Sequence, residues 1–292
     1  MTSEALAPGQ AARPIVEPAA GLVVVSAISS QLAASIAVHV FDRLGAVATA
    51  GGRVGFAALF LVLATGLPRG RSRADWRPIV PLGIILAVMN STFYLALDRL
   101  PLGVAVTVEF LGPIVLSVIT SRTPRHLAAA VIAALGIGLL SEGFGSSNTV
   151  GLLLAALAGV AWAAYIVLGR RVATRWEGVS GLNAAMLVGS CAIVPFAVVD
   201  AGSALASPTA LGACAAIGLL GSTIPYALDQ MALRRVSARA FSVLMSLHPA
   251  VGALVGFLVL DQGLTPQTVV AIALVVVASI VAARSERLPV PA

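Results

Sequence analysis

Uncharged, apolar runs of about twenty residues recur along the chain, a length matched to a hydrocarbon layer about 30 Å thick. Each run is set off from the next by a short segment carrying arginine, glycine or proline, such as Arg69-Gly70 or Glu142-Gly143. The pattern predicts spans near Ala20–Phe41, Leu44–Leu67, Ile79–Leu97, Leu100–Ser121, His126–Phe144, Val150–Gly169, Gly181–Val199, Thr209–Leu228, Ala240–Leu260 and Gln267–Ala283. Membrane β-strands alternate with a period of two over segments of about 10 residues. These runs are longer and do not alternate, so the expected fold is an all-α membrane protein with ten transmembrane helices.

The polar positions between the runs test that count. Cytoplasmic loops of membrane proteins are enriched in basic residues. With the amino terminus inside, Arg13, Arg69, Arg71, Arg73, Arg77, Arg122, Arg125, Arg170, Arg171, Arg175, Arg234, Arg235, Arg239, Arg284 and Arg287 all fall on the cytoplasmic side. Only Arg43 and Arg99 face outward, and Arg53 is left inside the second span. One missed or extra helix would scramble this alternation. Trp76 and Trp176 flank two of the basic loops, where interfacial anchors belong. The expected location is a bacterial inner (plasma) membrane, crossed many times, with both termini cytoplasmic. Residues 1–19 are polar and proline-rich and lack the ordered charged, apolar and cleavage regions of a signal peptide, so they read as a flexible cytoplasmic tail; residues 284–292 read as a second one.

Composition narrows the class further. Hydrophobic residues make up 59% and charged residues 10% of the chain, against roughly 45–50% and about 25% in soluble domains. The net charge of +6 comes from arginine alone, since there is no lysine. Because those arginines lie in loops beside lipid head groups, the basic balance points to membrane lipid and not to nucleic acid. Cys191 and Cys214 lie in apolar segments without metal-ligand spacing, and no metal or cofactor is expected.

The sequence Leu95-Ala96-Leu97-Asp98-Arg99-Leu100 resembles Met231-Ala232-Leu233-Arg234-Arg235-Val236, and the same offset of 136 places Pro113 on Pro249. This suggests two related halves, residues 20–144 and 150–283, each with five helices. An odd number of crossings makes the halves inverted relative to each other, as in secondary transporters whose substrate site lies between the repeats near the midplane.

Glu109 falls near the middle of the fourth span, where an ionised acid costs about 2.5–3.5 kcal/mol on insertion scales and is usually found facing a cavity, a partner or a proton path. Pro113 cannot donate to the carbonyl four residues back, which belongs to Glu109; Pro249 likewise frees the carbonyl of Met245. Both are expected helix breaks. Arg53, within Gly51-Gly52-Arg53-Val54-Gly55, needs a partner: either a substrate carboxylate, or a fixed pair with Glu109 or a helix carbonyl. Tyr94, Trp162, Tyr165 and Tyr226 offer aromatic faces to an ammonium group, with ordinary helix packing as the alternative for each. Asn90, Gln31, His248 and Asp229 complete the polar candidates within or at the edges of spans.

Phe93-Tyr94-Leu95-Ala96-Leu97, Leu102-Gly103-Val104-Ala105-Val106 and Glu109-Phe110-Leu111-Gly112-Pro113 together resemble the EamA-type branch of the drug/metabolite transporter superfamily. Supporting stretches are Gly159-Val160-Ala161-Trp162-Ala163-Ala164-Tyr165, Pro225-Tyr226-Ala227-Leu228-Asp229-Gln230-Met231-Ala232-Leu233 and Leu244-Met245-Ser246-Leu247-His248-Pro249. Within that branch the likeness is to threonine/homoserine exporters. The chain departs from the pattern at His248, where an acid before the proline is expected, and at Asp229, where glutamate is usual. The resemblance implies ten helices, cytoplasmic termini and export of small amino acids or related metabolites against protons. A drug, nucleoside or other metabolite exporter or facilitator of the same fold is the alternative within transport. A membrane receptor and an intramembrane enzyme are the alternatives outside it. An enzyme would need clustered chemistry, whereas His39, His126 and His248 are scattered and neither His-Glu-x-x-His nor Gly-x-Ser-x-Gly occurs. Small-molecule substrate, protons and lipid are the expected partners; the oligomeric state is left open.

Overall fold

The computed structural model describes residues 16–68, 72–121, 123–142, 149–233, 235, 241 and 244–285. Arg13, Arg69, Arg71, Arg122, Arg234, Arg239 and Arg287, used above to orient the chain, lie outside the described residues, as do Gly70 and Gly143. Helices account for almost all of the described chain. In order they are α1 (Val16–Leu44), α2 (Ala46–Thr65), α3 (Arg73–Trp76), α4 (Ile79–Leu97), α5 (Leu102–Glu109), α6 (Leu111–Ser121), α7 (Pro124–Glu142), α8 (Thr149–Ala173), α9 (Ser180–Ala201), α10 (Pro208–Gly218), α11 (Ile224–Leu233), α12 (His248–Val259) and α13 (Pro266–Ser285). A 3₁₀ turn over Gly202–Ala206 leads into α10, and a π-helical turn over Leu219–Thr223 joins α10 to α11.

Six of the helical stretches are long and apolar enough to cross a membrane by themselves. Four shorter apolar helices, Leu102–Leu116, Pro124–Gly136, His248–Val259 and Pro266–Ala282, stand where the fourth, fifth, ninth and tenth spans are expected. Two of these four are shortened at the expected prolines. α5 stops at Glu109 and α6 starts at Leu111, because Pro113 has no N–H for the Glu109 carbonyl. α12 starts at His248 with Pro249 in its first turn, after a turn at Ser246-Leu247. α1 begins inside the expected tail, at Val16; Pro18 is tolerated there because first-turn N–H groups have no helical partner. The break between α1 and α2 is a single residue, Gly45, whose φ of +77° is the left-handed geometry glycine adopts without strain.

The outside of the bundle is apolar: Val199, Leu63, Phe196 and Leu153 are 83%, 73%, 70% and 66% exposed. Water does not tolerate such a surface, whereas lipid does. The inside is packed largely through small residues. Without a hydrophobic driving force between helices in lipid, close backbone approach supplies the attraction. A Cβ on Gly112 would lie 1.8 Å from the Gly159 carbonyl oxygen, and one on Gly103 would lie 2.6 Å from Ala253 Cα, so α6 crosses α8, and α5 crosses α12, at glycine. Gly51 sits against Ala197 and Gly52 against Cys214, so the small residues around Arg53 serve the close packing expected of them.

Apart from the short α3, each helix up to α7 packs on helices from α8 onward. α4 lies on α8 and α9, α1 on α10 and α11, α2 on α9 and α10, α5 on α8 and α12, and α7 on α13. Connections gather at two ends. At one, Trp76 and Trp176 meet edge to face with centroids 5.7 Å apart, and Trp176 Nε1 donates to the Asp75 carbonyl at 3.2 Å. At the other, the Leu102 N–H donates to Gln262 Oε1 at 2.9 Å, Gly151 packs on Arg99 and Leu100, and Gly45 faces Asp200.

Candidate substrate site

A cavity of about 720 Å³ lies between the helices, lined by Arg53 of α2, Asn90 of α4, Glu109 at the end of α5, Trp162 and Tyr165 of α8, Tyr226 and Asp229 of α11, and His248 of α12. It extends past Arg170 and Trp176 to Gly178 and Gly181, at the end of the bundle where Trp76 and Trp176 meet. Its position follows from broken helices. Glu109 is the last residue of α5, so the interruption that Pro113 causes presents this carboxyl to the cavity. The carbonyl that Pro113 leaves without a helical donor lies against Gly159, where an added Cβ would approach it to 2.6 Å.

Arg53 is held from three sides. Nη2 donates to the Gly221 carbonyl at 2.6 Å, Nε to Ser222 Oγ at 3.1 Å and Nη1 to the Tyr94 hydroxyl at 3.4 Å, with the guanidinium carbon 5.6 Å from the Tyr94 ring centroid. The Gly221 acceptor exists because residue 225, four positions on, is proline, and its missing N–H leaves that carbonyl open. The π turn is the local consequence, as such turns often accompany functional sites in helices. The helix carbonyl anticipated for Arg53 is therefore Gly221. All three partners are neutral, and Arg53 and Glu109 form no direct ion pair. A guanidinium has five N–H donors, so this one retains capacity for an anion on its cavity side.

Several expected residues are placed differently from the role anticipated for them. Tyr94 is wholly buried and absent from the cavity lining; it packs on Phe41 at 5.7 Å and props Arg53 from behind. Asn90 lines it, but its Nδ2 is already donated to the Leu86 carbonyl at 2.8 Å. Gln31 lines the wall from α1. Asp229, expected at the edge of a span, lies within a helix that continues to Leu233. Its Oδ1, like Nε2 of His248, is buried without a hydrogen-bond partner.

Phe110, not singled out in the sequence, occupies the break between α5 and α6. Its ring meets Trp162 edge to face at 4.7 Å and stacks on His248 at 5.8 Å, so the two proline-linked breaks touch through this ring. Its place between Glu109 and Pro113 was the available signal. Ser26 and Ser30 of α1 also line the cavity. Ser29 of the same helix donates to the Leu220 carbonyl at 2.7 Å, at the π turn. The groups present can bind a carboxylate and an ammonium and can carry a proton; among the described residues no group of histidine, cysteine and acids is arranged to hold a metal ion.

Comparisons with known proteins agree with this geometry. Residues 149–284 match the EamA-like transporter family. The chain is 33% identical over 263 residues to the threonine/homoserine exporter RhtA of Salmonella typhimurium (strain SL1344), covering 88% of this chain and 89% of that protein. It is 32% identical over 262 residues to RhtA of Escherichia coli (strain K12), covering 88% of each. A protein crystal structure 20% identical in sequence shares the fold, with a TM-score of 0.58 over 89% of this chain and 96% of that one. The two RhtA proteins are exporters, and the matching family is one of transporters, not enzymes. A third of the residues shared across most of both lengths is decisive, and the chain belongs to the EamA-like transporter family.

Proposed function

We propose that this protein is a secondary transporter that exports small amino acids of the threonine/homoserine kind, or closely related metabolites, in exchange for protons. The observation that carries the reading is the single cavity into which Arg53 and Glu109 both open, between helices interrupted at Phe110, Gly221 and Ser246-Leu247. Arg53 receives the substrate carboxylate and Glu109 its ammonium group. An ammonium and a proton cannot occupy the Glu109 carboxylate together, so loading substrate from one side expels the proton taken up from the other. That exclusion couples the two fluxes.

The architecture in this reading is ten spans in two inverted five-helix repeats, residues 20–144 and 150–283, with both termini cytoplasmic. The pairing of helices supports it: exchanging each span for its counterpart five places on turns the contact of α4 with α8 into that of α11 with α1, and the contact of α4 with α9 into that of α10 with α2. The contacts of α2 with α9, α5 with α12 and α7 with α13 map onto themselves. The family match over residues 149–284, the second half alone, is in keeping with a repeat unit of that length. With arginine-rich loops inside, the cavity faces the cytoplasm, as an exporter awaiting substrate requires.

Glu109→Gln tests the coupling. In proteoliposomes the variant is expected to insert but to lose flux driven by a pH gradient; unchanged gradient dependence would refute the role given to Glu109. A second reading, export of bulkier drug-like or nucleoside substrates, draws on the cavity volume of about 720 Å³, which falls within the roughly 300–1,000 Å³ of drug-sized sites. Competition of such compounds with threonine in the same vesicles separates the two.

A further inference from the structure

Arg53 and Asp229 both line the cavity. Arg53 is bonded to Gly221, and Asp229 lies eight residues further along the same helical run, a rise of about 12 Å at about 1.5 Å per residue. Asp229 is displaced from Arg53 toward the end of the cavity formed by Arg170, Trp176 and Gly178.

We propose that Asp229 forms a second, separate subsite that takes an ammonium group ahead of the inner site, resting on the transport reading above and adding a loading position to it. Its Oδ1 is buried and has no hydrogen-bond partner, which is costly unless a donor arrives. Asp229 has no cationic side chain within ion-pair distance among the described residues. Tyr165 of α8 and Tyr226 of α11 both lie within electrostatic reach of it, and Ser26 of α1 stands beside its carboxyl group. An acid in a cavity that Tyr165 and Tyr226 also line is the chemistry that recognises an ammonium ion through charge, hydrogen bonds and ring faces. With no cation paired to Asp229 among the described residues, this subsite reads the amine of the substrate. Tyr226 lies between Gly221, which holds Arg53, and Asp229 along one helical run, and it lines the same cavity. Substrates without a positively charged nitrogen gain nothing there.

The test uses 1-aminopropan-2-ol, which is threonine without its carboxylate, as the probe in thermal-shift titrations of the purified protein. Asp229→Asn is expected to weaken its binding at least about tenfold, and Asp229→Glu to keep it within about threefold of the unmodified protein. A second neutral replacement, Asp229→Ser, guards against a folding defect in the first and is expected to weaken binding equally. In vesicles, Asp229→Asn is expected to raise the KM for threonine at least about fivefold with kcat changed less than about twofold. Amine binding lost in Glu109→Gln but kept in Asp229→Asn would overturn the separate subsite, as would no amine binding to the unmodified protein. Absence of threonine flux in the unmodified protein, with amine binding still dependent on Asp229, would instead sink the transport reading and leave the subsite standing.

Discussion

Arg53 shows how much of the site rests on single atoms. Its charge is surrounded by a carbonyl, a hydroxyl and a phenol, which orient the guanidinium without neutralising it. Lysine has no planar fork and cannot satisfy three such acceptors at once. Arg53→Lys is therefore expected to lower the initial rate of threonine flux at least about tenfold while leaving insertion intact, as measured by uptake into vesicles and by size-exclusion elution. Half of this arrangement was legible in the sequence: an arginine inside a span must have a partner. The identity of that partner was not, because it is a main-chain carbonyl 168 positions away in the sequence, opened by a proline whose effect reaches four residues back. Tyr94 was legible as an aromatic near the site, but a pattern along one helix does not say whether a ring lies on the cavity or behind the residue that does.

At the scale of the element, the breaks are the working parts. Glu109 reaches the cavity because α5 ends there, and Pro113 is the reason. Pro113→Ala restores the N–H and lets the helix run through. The expected outcome is a thermal midpoint equal to or above that of the unmodified protein, with flux lowered at least about tenfold; unchanged flux would show that the break is incidental. Gly112 has a different duty, since it lets α6 touch α8 at Gly159. A methyl group there overpacks the crossing, at a typical cost of about 1–3 kcal/mol, so Gly112→Ala is expected to lower the thermal midpoint in a melting experiment. Both prolines were readable as breaks from their spacing alone. The π turn was not, although Pro225 lay in plain view, because nothing in an apolar run distinguishes a proline that kinks a helix from one that donates a carbonyl to a distant arginine. Asp229 fell on the outer edge of its expected span because the uncharged run stops at Leu228, and charge was the criterion for where a span ends; the helix continues because its polar face borders a cavity instead of lipid.

For the molecule as a whole, length and hydropathy carried the reading furthest, since the thickness of a bilayer is a constraint that acts on every span alike. Six long helices and four shorter apolar ones stand at the positions that constraint picked out. An enzyme or reporter domain fused after Ala292 is expected to read as cytoplasmic; a periplasmic signal would mean an odd number of crossings and would dismantle the inverted pair of bundles. The central claim concerns coupling, and it is tested most directly by watching both fluxes at once. Threonine is added outside proteoliposomes that contain the protein and a trapped pH-sensitive dye. The account predicts that the lumen becomes more alkaline as threonine enters, because each molecule admitted releases a proton in the opposite direction. Threonine entry with no pH change, or with acidification of the lumen, would contradict it.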